Sequence, residues 1–113
     1  MVKVEGNDIT ITRGDTLIGQ IIIKDSRGVV YDPGENDLVR FALKKSFKDE
    51  SPLIVKDIPV DTMILRLESS DTKALAQPQK YFYDIQITID DGTEEGFVYT
   101  FISGTLKTVE EVE

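Results

Sequence analysis

The sequence predicts an all-β fold, an antiparallel β-sandwich with one short helical turn. Three observations lead there. Apolar and polar residues alternate with a period of two along most of the chain, the signature of half-buried strands. Turn signals recur at the spacing of short sandwich strands, about every 8 to 12 residues. Only one stretch has helical character, and Pro78 ends it.

The elements follow in order. Asp8-Ile9-Thr10-Ile11-Thr12 sets Ile9 and Ile11 on one face and threonines on the other. Thr16 to Lys24 reads as one strand with isoleucine on both faces, so it is central or changes face partway. Asp25 to Asp37 is a loop carrying the turn pairs Arg27-Gly28 and Pro33-Gly34. Val39, Phe41 and Leu43 alternate with polar or small residues, and Ser46 to Ser51 forms the next loop. Leu53 to Val55 and Met63 to Glu68 are short strands, with Leu65 and Leu67 inward. A helical turn near Asp71–Ala76 follows, with Leu75 as an inward plug. Tyr81 to Ile89 is the clearest strand, placing Tyr81, Tyr83, Ile85, Ile87 and Ile89 on one face. Asp90-Asp91-Gly92 is a hairpin signal. Phe97 to Ile102 returns, and Thr105 to Val109 is the closing strand. The expected core is Ile9, Ile11, Leu17, Ile21, Ile23, Val39, Phe41, Leu43, Leu65, Leu67, Leu75, Tyr83, Ile85, Ile87, Tyr99 and Phe101. Residues 1–109 form a single domain, and 110–113 are an acidic tail.

Composition excludes much chemistry. The chain has 113 residues, with no cysteine, histidine or tryptophan. Disulfides, thiol or imidazole catalysis and cysteine-ligated zinc are therefore out of reach. Its 21 acids against 13 bases give a net charge of −8, which repels nucleic acid and anionic lipid. Apolar runs such as Ile21-Ile22-Ile23 are far shorter than the roughly 20 residues of a membrane helix. The N-terminus lacks a secretory pattern.

Several motifs invite a function and each has a structural alternative. Arg13-Gly14-Asp15 has the form of an integrin-binding tripeptide, but between two strands it reads as a tight turn. Asp32, Glu35 and Asp37 share one loop, and Asp90, Asp91, Glu94 and Glu95 another; neither matches the twelve-residue calcium loop. Paired carboxylates could hydrolyse a glycoside only across a deep cleft, and Asp84 is the one carboxylate that interrupts the main core strand. No glycine-rich phosphate loop is present. Catalytic, cofactor-binding and metal residues are accordingly expected to be none. Two aromatics fall outside the core pattern. Phe82 lies on the face opposite Tyr81 and Tyr83, and Phe47 lies in a loop beside lysines. They are the candidate partner surface, because aromatic side chains anchor interfaces.

Ile9-Thr10-Ile11-Thr12-Arg13-Gly14-Asp15-Thr16, a strand entering Gly-Asp-Thr, resembles a pattern of phage tail proteins. With Asp25-Ser26-Arg27-Gly28, Val39 to Lys45, Tyr81-Phe82-Tyr83-Asp84-Ile85 and Gly104 to Val109, the chain resembles the N-terminal domain of upper baseplate proteins of phages infecting Gram-positive bacteria. The resemblance implies an immunoglobulin-like sandwich, encoded by a phage or prophage, with no catalytic residues to carry over. The expected role is a non-enzymatic structural or assembly module of a tail or baseplate. Its expected partners are other tail or baseplate proteins or a second copy of itself, met through a sheet edge or an apolar patch. The expected location is the host cytoplasm during assembly, and then the virion. A carbohydrate-binding or adhesion module is the alternative, and would need Phe82 and Phe47 in one solvent-facing groove.

Overall fold

A computed structural model describes residues 2–24, 27–46, 48, 51–75 and 79–109. The described residues form ten strands and one helix. The strands are β1 (Val2–Glu5), β2 (Asp8–Thr12), β3 (Leu17–Gln20), β4 (Ile23–Lys24), β5 (Val30–Tyr31), β6 (Leu38–Lys44), β7 (Ile54–Ile58), β8 (Ile64–Leu67), β9 (Gln79–Ile89) and β10 (Phe97–Val109). The helix α1 (Ser69–Lys73) lies between β8 and β9. The all-β expectation is met.

Six strands make the main sheet, in the order β1-β2-β10-β9-β6-β7. Its alternation puts Ile9 and Ile11, Leu106, Tyr81 to Ile87 at every second position, and Val39, Phe41 and Leu43 on one face. The register aligns these residues across the sheet: Phe41 pairs with Ile85, Leu43 with Tyr83, and Tyr81 with Leu106. Phe41 and Tyr83 rings meet at 5.5 Å between centroids. A two-stranded layer, β3 with β8, supplies Leu17, Leu65 and Leu67 to the same core, and β4 with β5 forms a small ribbon beside it. Burial of these side chains, each worth roughly 1.5–3 kcal/mol, holds the layers together.

The structure departs from the sequence reading in instructive ways. The expected antiparallel pairing holds for every ladder but one: β2 and β10 run parallel, with Asp8 opposite Thr105 and Thr12 opposite Val109. Thr16 to Lys24 is two strands. β3 pairs with β8 up to Gln20, the Ile21 N–H donates to the Met63 carbonyl at 2.8 Å, and Ile23 then pairs with Tyr31 instead. That change of partner is why isoleucines occupy both faces; Ile23 is buried and Ile22 exposed. Phe97 to Ile102 and Thr105 to Val109 are one strand, with a register shift between Thr100 and Ile102. β1 and β5 lie where no strand was expected, the latter inside the predicted loop.

Thirteen of the expected core positions are buried; Ile21 and Phe101 are half-buried, and Tyr99 is 51% exposed. Tyr99 pairs with Ile87 on the core side of the sheet, yet about half of it remains exposed. Ile58, Tyr81 and Leu106 complete the core. The helix begins at Ser69, slightly earlier than expected. The Asp71 carboxylate accepts from the Glu68 N–H at 2.8 Å, closing its first turn. Leu75 is buried as expected, while Ala76, Pro78 and the acidic tail lie outside the described residues.

Candidate protein-binding surface

Phe82 stands on the outer face of β9, between Lys44 of β6 and Thr105 of β10. It is half-buried, and the Lys80 ammonium lies 5.7 Å from its ring centroid. This is a cation–π arrangement on a flat sheet face. Phe47, the other expected anchor, lies outside the described residues.

A different part of the sheet is uncovered. β9 and β10 run to 11 and 13 residues, whereas β3 and β8 have only four each. The β9–β10 hairpin therefore overhangs the facing layer. β10 pairs with β2 only from Thr105 onward, so among the described residues its stretch from Phe97 to Ile102 has no strand on that side. Phe97, Val98 and Tyr99 are 56%, 55% and 51% exposed. An edge of this kind presents unpaired backbone N–H and C=O groups to an incoming strand.

The window has firm bounds. At one end Asn7 closes it: its side-chain amide donates to the Ser103 carbonyl at 3.4 Å, and its own carbonyl accepts from the Tyr83 hydroxyl at 2.7 Å. A Cβ at Gly104 would clash with that carbonyl oxygen, so glycine is required for β2 to approach. Burial, with the nearby Asp8 charge, raises the Tyr83 hydroxyl pKa, which keeps it a donor at neutral pH. At the other end Ile89 pairs with Phe97, and the turn beyond them carries Asp90, Asp91, Glu94 and Glu95, all exposed. Next to the window an apolar cavity of about 260 Å³ opens between β1 and β3, lined by Val2, Val4, Ile18 and Ile22 above Ile9, Ile85 and Ile102.

The acidic loops have internal roles. Asp37 accepts from the Tyr31 hydroxyl at 2.7 Å, the Gly34 N–H at 2.9 Å and the Asp90 N–H at 3.0 Å, tying its loop to the hairpin turn. Burial pushes its carboxyl up, and those three hydrogen bonds outweigh it and bring the pKa below the ordinary value. The Thr93 hydroxyl and N–H hold Asp91 low in the same way. Among the described residues, no group of three or more acidic side chains is placed to hold a metal. Asp84 sits on the outer face, in a depression of about 240 Å³ that Arg40 and Lys44 also line. No second described carboxylate lines it.

Arg13-Gly14-Asp15 is a turn engaged with α1. Gly14 has φ +93°, and the Asp15 N–H donates to the Thr12 carbonyl at 3.0 Å. The buried Thr72 hydroxyl accepts from the Gly14 N–H at 3.0 Å and donates to the Asp15 carbonyl at 2.8 Å. Arg13 Nε donates to the Lys73 and Leu75 carbonyls at 3.0 and 2.9 Å, capping the end of the helix.

Sequence reasoning missed the Phe97–Ile102 window because Tyr99 and Phe101 alternate like core residues. One signal in the chain points to it, an acidic block directly before an apolar strand. No helix among the described residues is long and apolar enough to cross a membrane. No protein-family model matches the chain, and no curated protein matches it in sequence.

Proposed function

We propose that this protein is a non-enzymatic, immunoglobulin-like structural or assembly module of a phage tail or baseplate, prophage-encoded, that binds other protein subunits. The observation that carries the binding role is the uncovered β10 edge, where three adjacent apolar residues are each more than half exposed. A monomer that stays soluble normally blunts such an edge with charge, proline or a covering element; Phe97–Ile102 carries neither charge nor proline, and among the described residues no strand pairs along its outer side. The sheet order β2-β10-β9-β6-β7 facing β3-β8, with the first long strand parallel to the last, supports the immunoglobulin-like assignment. The tail setting rests on the sequence resemblance carried by Gly14-Asp15-Thr16 and Tyr83-Asp84-Ile85. On this reading the protein acts in the host cytoplasm during assembly and in the virion, without nucleic acid, lipid or cofactor.

Light scattering on the purified protein, alone and mixed with the products of neighbouring tail genes, tests the proposal. An oligomer or a defined complex is expected. A strictly monomeric protein that binds none of them refutes it.

A further inference from the structure

We propose that the free stretch of β10 from Phe97 to Ile102 seats a β-strand supplied by a different protein, an apolar segment bearing Lys or Arg at the end that lies over the β9–β10 turn. The inference rests on the assembly reading and specifies its edge and the chemistry of its partner. The window accepts one short strand, bounded by Asn7 at Ser103 and by the hairpin turn at Phe97. Backbone hydrogen bonds would supply register, and partner side chains at every second position would cover Phe97 and Tyr99 on the core-facing side. Both side chains are more than half exposed, so the added strand would bury apolar surface the described residues leave open.

Charge selects the partner. From Tyr81 to Leu106 the hairpin contains no Lys or Arg, yet it carries Asp84, Asp90, Asp91, Glu94 and Glu95. The Asp90 N–H donates to Asp37, which brings the loop of Asp32 and Glu35 to the same end of the molecule. A basic flank on the incoming strand therefore meets this group of carboxylates where it emerges past Phe97. A second copy of this chain is disfavoured. Antiparallel self-pairing across the window would carry the acidic turn of one copy toward the other copy's Glu5 and Asp8, and each copy already bears a net charge of −8.

The test uses the whole protein and two labelled synthetic peptides of alternating valine and threonine, one ending in Lys-Arg-Lys and one in Glu-Asp-Glu. Fluorescence anisotropy should show the basic peptide binding roughly ten-fold or more tightly than its acidic twin at low salt, with the gap narrowing as ionic strength rises. Hydrogen exchange should show new amide protection at residues 97–102. Glu94→Lys with Glu95→Lys, both exposed, should erase the preference, and Val98→Lys with Tyr99→Lys should abolish binding while the melting transition persists. Equal binding of the two peptides, protection elsewhere, or self-association of the protein that the Val98→Lys and Tyr99→Lys variant loses would overturn the proposal. A complex with a tail protein that ignores all four substitutions overturns this edge assignment and leaves the assembly reading standing. Basic-peptide binding at this edge with no tail protein bound does the reverse.

Discussion

Thr72→Val probes the junction between α1 and the Arg13-Gly14-Asp15 turn. Valine keeps the shape of threonine and removes one oxygen. That oxygen accepts from the Gly14 N–H at 3.0 Å and donates to the Asp15 carbonyl at 2.8 Å, in a side chain with no exposed surface. Without it, the Asp15 carbonyl and the Gly14 N–H, 57 and 58 residues away in sequence, each lose this hydrogen bond in a site water reaches poorly. An unmet buried polar group costs about 1–3 kcal/mol, and both groups here are part-buried, so the combined loss is about 3 kcal/mol. The methyl that replaces the hydroxyl recovers about 1 kcal/mol by burial. The net destabilisation is about 2 kcal/mol, or about 8 °C in Tm for a domain of this size. Urea denaturation of Thr72→Val beside Thr72→Ser measures it. The serine variant keeps both hydrogen bonds and loses only a methyl, so it should cost about 1 kcal/mol. A valine variant within about 0.5 kcal/mol of the parent, or one more stable than the serine variant, would refute the claim that this hydroxyl joins the helix to the turn.

Three further outcomes follow from the same structure. Gly104→Ala should destabilise by about 3 kcal/mol or more, since a Cβ clashing with the Asn7 carbonyl forces β2 away from β10; a thermal melt reads this directly. Leu106→Ala, at a fully buried position between β2 and β9, should cost about 3–5 kcal/mol by chemical denaturation. Acid should weaken the fold through Asp71 and Asp37. Burial raises the Asp71 carboxyl, but the Lys56 ammonium at 3.0 Å and the Glu68 N–H outweigh it, so its pKa in the folded protein lies below the ordinary 3.8, as does that of Asp37. A depressed folded pKa favours folding while the group is charged. The contribution is complete above the unfolded value and is lost as pH falls through the folded one. Denaturation midpoints should therefore drop below about pH 4, and Asp71→Asn should lower stability at neutral pH while flattening that acid limb.

The sequence made most of the main sheet legible because period-two patterns are local. Tyr81, Tyr83, Ile85 and Ile87 needed no partner to declare which way they face, and neither did Phe41 and Leu43. Strand partners are another matter. The pattern at Ile9 and Ile11 reads the same whether β2 lies parallel or antiparallel to its neighbour, and the neighbour is almost a hundred residues away. The break after Gln20 was hidden because Ile21, Ile22 and Ile23 are all strong strand formers, and only the switch from β8 to β5 separates them. Tyr99 was misread for a related reason. Alternation tells which face a residue occupies, and coverage depends on how far the opposite layer reaches. For the binding surface, the sequence offered solitary aromatics such as Phe82, whereas the exposed edge follows from a difference in strand length that only the assembled layers express. Arg13-Gly14-Asp15 was read as a turn, as the structure has it, but its attachment to Thr72 has no local trace.

The parallel ladder between β2 and β10 sets an order of events during synthesis. Asp8 accepts a hydrogen bond from Thr105, 97 residues later in the chain, so the β1–β2 hairpin emerges first and then waits for almost everything else before it can dock. Until residues 105–109 have been translated, β2 has no partner beyond β1, and Leu106's site on Tyr81 stays vacant. Folding of such a long-range topology is slow compared with local hairpin closure. Residues 105–109 are thus the link that carries the β1–β2 hairpin, and losing them would free that margin of the sheet while β9, β6 and β7 stay paired.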